Sequence, residues 1–485
     1  MRIQAQPLRD AKYVASSVFA ALVLSSVRSV LVLRILGPAL LGAWRSATLL
    51  YTLAEFGRLG VSRGVGLRVP VLDAQGEKEE ADRAAAAAGA FMWLAGGIMG
   101  LAIFVSAFFV SNPNLRTALW FVAGVVALTQ PTYFLRELAT ARHRFKLRAI
   151  EILLESSADF VAAVSLSMIF QLRGLGAASV VSSILPVLFL SRRLGLRFRI
   201  RLDFSRVKTL IRSGLPFSLT EGAFELTRRL DVLLMVVLLG PTFVGYYGIS
   251  LLIMDFSTVL AQKGVSQVLS PHMLREFGRT GSSAGVALFY EGPARLFCYL
   301  LPPLLGAGSF LIGDFVRLLL PQYVPGIPAA QVTMWAIFSV ALHASISSFF
   351  VAADKIALIL RCFAVLIPLG AVAQYLVLRA GLGLEGAAWT SVVVLGLTAG
   401  AELCFARRNC GHGAREIAVF LASLYFPLLT AIMLKELVES LNVGPWSGSP
   451  LESILKVLLF LLFYAPVLIA YESRFSMLRA VYQTM

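Results

Sequence analysis

About twenty consecutive apolar residues, recurring along the whole chain, form the feature that most limits what this sequence can become. Each run is long enough to cross a hydrocarbon core about 30 Å thick. The runs are continuous rather than alternating, which fits spanning helices and not barrel strands. With 58% of its 485 residues hydrophobic and 14% charged, the chain has too little polar surface for a soluble domain. The first run follows Arg2, Arg9 and Lys12 and continues past signal-peptide length with no small-residue cleavage site, so it reads as a retained span.

Apolar runs and their breaks give fourteen expected spans. Six come first: Tyr13 to Leu36, Leu40 to Leu59, Ala88 to Val110, Leu119 to Leu138, Ala149 to Phe170 and Leu175 to Phe189. Six more follow: Leu215 to Leu239, Val244 to Val265, Val286 to Ile312, Ala329 to Val351, Ile356 to Leu378 and Leu384 to Ala406. The last pair is Ile417 to Lys435 and Leu451 to Tyr471. Gly37-Pro38 and Gly240-Pro241 make the tight turns after the first and seventh.

The loops then divide by charge. One alternate set (the N-terminus, Arg63 to Arg83, Arg136 to Arg148, Arg192 to Arg212, Lys263 to Arg279, Lys355 to Arg361, Arg407 to Arg415 and the tail) holds about 30 Lys and Arg. The other set holds about 5, around Arg116, Arg173, Arg317, Arg379 and Lys435. The positive-inside rule therefore puts both termini in the cytoplasm. The net charge of +16 is read as topology and anionic-lipid contact, not as nucleic-acid binding. The longest outer loop, near Glu436 to Pro450, has no room for a folded extracytoplasmic domain.

An internal repeat is visible. Arg34-Ile35-Leu36-Gly37-Pro38 with Gly42 matches Val237-Leu238-Leu239-Gly240-Pro241 with Gly245, and Gly60-Val61-Ser62-Arg63 matches Gly264-Val265-Ser266-Gln267. The expected architecture is all-α and polytopic. Residues 1–212 would form an N-terminal lobe and 213–406 a C-terminal lobe of six helices each, with an accessory pair in 407–485. Two such lobes commonly bind substrate between them.

Ionisable residues at membrane depth cost several kcal/mol unless they face a partner or a wet cavity. Here they concentrate in the first two helices of each lobe. Arg28 and Arg34 lie in the first span. Arg45, Thr48, Thr52 and Glu55 share one face of the second. The seventh carries Glu221, Glu225, Arg228, Arg229 and Asp231, and the eighth Asp255 and Thr258. Together they suggest an inward-facing cavity between the lobes, in which guanidinium forks suit phosphate. Arg34 and Arg58, near span ends, read as interfacial snorkelers.

Glu151, Glu155 and Asp159 form one acidic stripe that either lines the cavity or meets neighbouring arginines. His343 is either a proton relay or, more commonly for such a residue, a hydrogen-bonded packing histidine. The four cysteines and Cys410-Gly411-His412 lack metal-ligand spacing, so no metal or cofactor is expected. Gly278-Arg279-Thr280-Gly281 lacks the lysine of a nucleotide-binding loop.

The chain resembles the polysaccharide transporter branch of the MOP flippase superfamily, the Wzx-type O-antigen and capsule flippases. The resemblance is carried by Arg34 to Pro38 with Gly42, Gly60, the acidic Gly76-Glu77-Lys78-Glu79-Glu80-Ala81 loop, Ser213-Gly214-Leu215-Pro216, Arg229-Leu230-Asp231, Leu239-Gly240-Pro241 and Val244-Gly245-Tyr246-Tyr247. It departs in placing Trp44-Arg45 where the second repeat has Tyr247-Gly248. The resemblance implies a V-shaped two-lobe bundle in the bacterial inner membrane, moving an undecaprenyl-diphosphate-linked glycan to the periplasmic face.

The implied partners are that polyprenyl-diphosphate-linked glycan, membrane lipid, H+ or Na+ as coupling ion, and a polysaccharide polymerase and glycosyltransferases. Arg28, Arg45 and Arg228 would bind the diphosphate, and Glu55, Glu225 and Asp255 would couple ion binding to transport. Two alternatives share the fold: a lipid II-type precursor flippase and a cation-coupled multidrug antiporter. An antiporter pocket should be acidic and aromatic rather than arginine-rich. A membrane glycosyltransferase or polymerase would need catalytic groups on sizeable outer loops, so no enzyme activity is expected.

Overall fold

A computed structural model describes residues 5–195, 203–261, 267–441 and 450–475. Gly264-Val265-Ser266, the tip of the Glu436 to Pro450 loop, most of the tail, and residues 196–202 of the basic 192–212 run lie outside the described residues. Helix makes up 92% of the structure, and the described residues contain fifteen α-helices and no strand. Where no water reaches the backbone, a helix is the way a single segment satisfies its own N–H and C=O groups.

Among the described residues ten helices are long and apolar enough to cross a membrane, and two of them are double. The first, α1 (Ala5–Phe56), is interrupted at Gly37, whose φ of 68° and ψ of 171° break the helix before Pro38. Arg28 and Tyr51 line one cavity although 23 positions separate them. A straight helix would hold them about 34 Å apart, so the chain turns back at Gly37. The long helix α5 (Phe145–Leu194) breaks at Gln171, with φ 49° and ψ −123°. Beyond that break Gly174 lies directly on the Leu166 carbonyl, so this element too is a hairpin.

Counting each hairpin as two spans gives twelve. The remaining two expected spans correspond to α6 (Phe204–Leu238), whose charges exclude it from a hydropathy count, and to α7 (Pro241–Tyr246) with α8 (Gly248–Ala261). The eighth span is thus interrupted at Tyr247.

Contacts divide the chain into two compact units, Met1–Gly245 and Tyr246–Met485. In the first, α6 packs on α1 and α2 (Val61–Ala74). The stretch from Arg63 to Arg83, expected as a loop, is largely helical. Val61, Val65 and Val69 of α2 recur every four residues and are fully buried, joining Ala85, Met92, Phe134, Leu138 and Leu210 in one core. The acidic loop before the third span is the start of α3 (Lys78–Ser106), with Glu79 and Glu80 in the first turn where the helix dipole favours negative charge.

Two glycine pairs explain motifs that were prominent in the sequence. Gly60 and Gly64 lie against Gly214 and Leu210, backbone on backbone, with no space for a Cβ. Gly42 lies against the Pro241 carbonyl and Gly245 against the Pro38 carbonyl, so each repeat's Gly-Pro turn receives the other's glycine. Removing side chains is what lets helices approach this closely in lipid, where van der Waals contact supplies most of the attraction.

At the start of α6, Asp203 caps the helix by accepting from the Ser205 and Arg206 N–H groups, both at 3.1 Å. Arg206 in turn grips Glu80 with two bonds of 2.9 Å. The backbone bond from Arg206, aided by its guanidinium, holds the Asp203 carboxyl below its ordinary pKa. Because the folded pKa is depressed, this contribution is present above the unfolded carboxylate value of about 4 and is lost as pH falls through the folded one. Asp203→Asn is therefore expected to flatten the acid limb of a thermal-stability-versus-pH curve below about pH 4 while leaving its neutral slope unchanged.

The second unit is organised on α11 (Ile327–Ala352), which is apolar around its circumference and buries Trp335, Phe338, Phe349 and Phe350. Around α11 pack α8, α10 (Ala287–Leu319) and α13 (Gly383–Asn409), while α9 (Gln267–Thr280) replaces much of another expected loop. Farther out, α12 (Ile356–Arg379) exposes Val365, Leu369 and Val372, as a lipid-facing helix would. The final pair, α14 (Ala414–Ser440) and α15 (Pro450–Phe475), packs against α10.

Candidate functional site: a charge-paired cavity in the first unit

The first unit encloses two adjoining polar cavities. One, of about 320 Å³, is lined by Tyr51, Glu55, Arg58, Gln130, Tyr133, Arg136 and Glu155 among others. The other, of about 280 Å³, is lined by Arg28, Asp159, Ser25, Ser156, Ser179 and Ser182. Tyr51, Glu155 and Ser183 border both.

Of the acidic stripe on α5, Glu155 and Asp159 line these cavities, and all three carboxylates meet arginines. Arg28 reaches Asp159 through Nε at 3.1 Å and Nη2 at 3.3 Å. Two turns along the stripe, Glu151, fully buried, accepts from Arg136 at 2.7 and 2.9 Å and also pairs with Arg148. Arg136 pairs with Glu155 as well.

Arg58 is a cavity residue rather than a snorkeler: its side chain is 12% exposed. It donates to Glu55 at 3.1 Å and Gln130 at 3.2 Å, and its guanidinium lies 3.5 Å over the Tyr133 ring. The ring quadrupole favours a cation at that position. Gln130, fully buried on α4 (Pro113–Ala141), donates to the Ala54 carbonyl at 3.1 Å and so fixes the end of α1. Arg63 continues the series with Glu137 at 3.3 Å and with Glu221.

The serine hydroxyls have a common orientation. Ser25, Ser156, Ser179, Ser182 and Ser183 each donate to a carbonyl three or four residues back in their own helix. Their oxygens keep lone pairs as acceptors, whereas the arginines supply donors. Arg28 donates to Asp159 through Nη2, while its Nε lies 3.1 Å from the same carboxylate as an ion pair without a hydrogen bond.

Of the sequence-predicted residues, Arg28 and Glu55 line these cavities. Thr52 is buried, and Thr48 donates to the Arg45 carbonyl at 2.9 Å. Arg45 is half-buried on the same helical segment. Glu225 bridges Arg228, at 2.7 to 3.1 Å, and Arg229, at 3.1 Å, within α6 itself. Arg228 is buried and Glu221 pairs with Arg63. Buried Asp231 accepts the Val232 N–H at 2.7 Å. Asp255 lies on α8 in the second unit, half-buried. The reading from sequence missed Tyr51, Gln130, Tyr133 and Arg136. Gln130, Tyr133 and Arg136 recur every three residues in the fourth span, which was the available signal.

The described residues hold no His/Cys/Asp/Glu group arranged for a metal ion. In the second unit His343 Nδ1 meets Glu402 at 2.8 and 3.0 Å.

This is the fold of MOP-superfamily transporters. It is shared with an inward-facing multidrug resistance MATE family transporter, at TM-score 0.63 and 13% identity over 87% of this chain and 96% of that one. It is also shared with the lipid II flippase MurJ in an inward closed conformation, at TM-score 0.65 and 12% identity over 93% and 99%. A third match is a MOP superfamily transporter from Pyrococcus furiosus, described by the reverse polarity of its binding pocket, at TM-score 0.60 and 13% identity over 90% and 97%. No curated protein matches in sequence. Residues 14–278 match the family described as polysaccharide biosynthesis protein. The chain belongs to that family, and its fold is the one shared with the transporters just named.

Proposed function

We propose that this protein is a flippase that carries an undecaprenyl-diphosphate-linked oligosaccharide, the repeat unit of an O-antigen, capsule or exopolysaccharide, from the cytoplasmic to the periplasmic face of the inner membrane. The observation that carries this reading is the coincidence of the family match, residues 14–278, with the segment that holds the arginine-lined cavity. Arg28 and Arg45 contribute diphosphate contacts, with Arg228 and Arg229 on α6. Phosphate competes for the forks that carboxylates hold at rest. Thr48, Thr52, Glu221 and Asp231 line the sugar path, and Glu55, Glu225 and Asp255 change charge with H+ or Na+ during alternating access. Both termini stay cytoplasmic, and the product passes to a polysaccharide polymerase.

Deleting the gene is expected to accumulate a polyprenyl-diphosphate glycan on the cytoplasmic leaflet, extractable with organic solvent and identifiable by mass. Arg28→Ala and Arg45→Ala should each lower export about tenfold or more at unchanged membrane level, the loss of one charge-assisted contact worth about 1.5–3 kcal/mol. Unchanged export in both variants would remove the phosphate role. Normal lipid-linked glycans with raised dye retention would favour a multidrug antiporter, and accumulated lipid II a peptidoglycan-precursor flippase.

A further inference from the structure

The second unit contains a buried pair that the cavity of the first unit does not use. His343 on α11 is 6% exposed and Glu402 on α13 is fully buried. The imidazole Nδ1 faces both carboxylate oxygens, at 2.8 and 3.0 Å. We propose that the His343–Glu402 dyad is a further proton-binding site of this transporter, in the second unit and in addition to the carboxylates named above.

Charge bookkeeping on the dyad gives the reason. An imidazolium with a carboxylate is neutral overall, and so is an imidazole with a carboxylic acid. Both forms hold one exchangeable proton more than imidazole plus carboxylate, which leaves a net negative charge inside the unit. A buried carboxylate that has no cation beside it is costly where water does not reach. Release of the proton to solvent therefore requires α11 and α13 to part enough for water to enter, and rebinding allows them to close. Proton occupancy and helix packing become one equilibrium, biased by whichever aqueous phase the dyad meets.

The surroundings suit such a site. Cys362 on α12 and Tyr425 on α14 lie within electrostatic reach of Glu402. Tyr425 donates to the Gly396 carbonyl at 2.7 Å, so its hydroxyl proton is already committed to α13. On α10, Glu291 pairs with Arg407 and more weakly with Arg295, which keeps those charges occupied with each other. Cys298 on α10 is buried as well. Asp255 is the ionisable group of α8, which packs on α11, and Glu276 on α9 is held by Arg279 at 2.6 Å. Arg407, paired with Glu291, stands five residues beyond Glu402 along α13, toward the expected cytoplasmic end.

Proton binding at the dyad stands apart from the cargo; its use in coupling rests on the flippase reading. The purified full-length chain in detergent is titrated between pH 9 and 5 by intrinsic tryptophan fluorescence, with Trp335 reporting from α11. The expected result is a one-proton transition in the wild type that Glu402→Gln and His343→Gln each abolish. Absence of the transition in the wild type, or its retention in either folded variant, overturns the site. Infrared difference spectra of the wild type supply the same decision without a variant, because imidazolium or carboxylic-acid bands must be lost with the transition.

In cells, glycan export should fall at least tenfold when the pH gradient is collapsed in the wild type and show no such dependence in the variants. A lost transition in the variants, with no lipid-linked glycan accumulating in the deletion strain, would keep the proton site and refute the flippase. Accumulated glycan with an unchanged titration would do the reverse.

Discussion

Arg136→Ala is expected to cost about 3–5 kcal/mol of stability, the largest loss for any single substitution considered for this protein. The residue holds Glu151, which is fully buried, through two bonds and Glu155 through a third contact. Its removal leaves Arg148 as the remaining partner of Glu151 and takes the arginine from Glu155. A carboxylate left in the interior without its cation suffers the full desolvation penalty, whereas removing both charges together is far less harmful. Arg136→Met combined with Glu151→Leu and Glu155→Gln should therefore recover most of the loss. Thermal unfolding in detergent, followed by size-exclusion recovery, measures both. A decrease below about 1 kcal/mol for Arg136→Ala would mean that Arg148 alone sustains Glu151.

The second large effect is expected at the reciprocal glycine contact. A methyl group on Gly42 would meet the Pro241 carbonyl, and one on Gly245 the Pro38 carbonyl; both obstacles are backbone and cannot rotate aside. Gly42→Ala and Gly245→Ala should each cost about 1–3 kcal/mol, and leucine at either position more. The two are not independent. Once one methyl has forced the turns apart, the second enters space already opened, so the double variant should lose clearly less than the sum of the singles. A double-mutant cycle in apparent Tm reads this directly. Strict additivity would show that the turns give way separately.

Spans and turns were legible because a bilayer imposes a length and Gly-Pro punctuates the chain. The hairpins at Gly37 and Gln171 fall where the apolar runs were divided. By contrast, α2 was hidden: Arg63 and Arg68 made it look like loop, and its three buried valines are too few to stand out without knowledge of α6. The site was legible by half. Arg28 and Glu55 were conspicuous as charges in apolar runs, and the stripe from Glu151 to Asp159 announced itself by spacing. Which arginine each carboxylate holds depends on tertiary pairing across 15 to 131 positions, and nothing local encodes it. Arg58 was misread because nearness to a span end is the same signal whether a side chain snorkels outward or turns inward to Tyr133.

The ion pairs within α6 bear on how the protein is made. A helix carrying Glu221, Glu225, Arg228, Arg229 and Asp231 would resist partitioning from the translocon if each charge stood alone, at roughly 2.5–3.5 kcal/mol for a mid-helix Arg or Asp. Glu225 pairs with both Arg228 and Arg229 from three and four residues away on the same helix, offsetting part of their charge, and those bonds form as soon as the turn does. Biogenesis therefore need not wait for a neighbouring helix to satisfy them. Arg63, already synthesised, is left to receive Glu221 and close the first unit when its seventh span arrives.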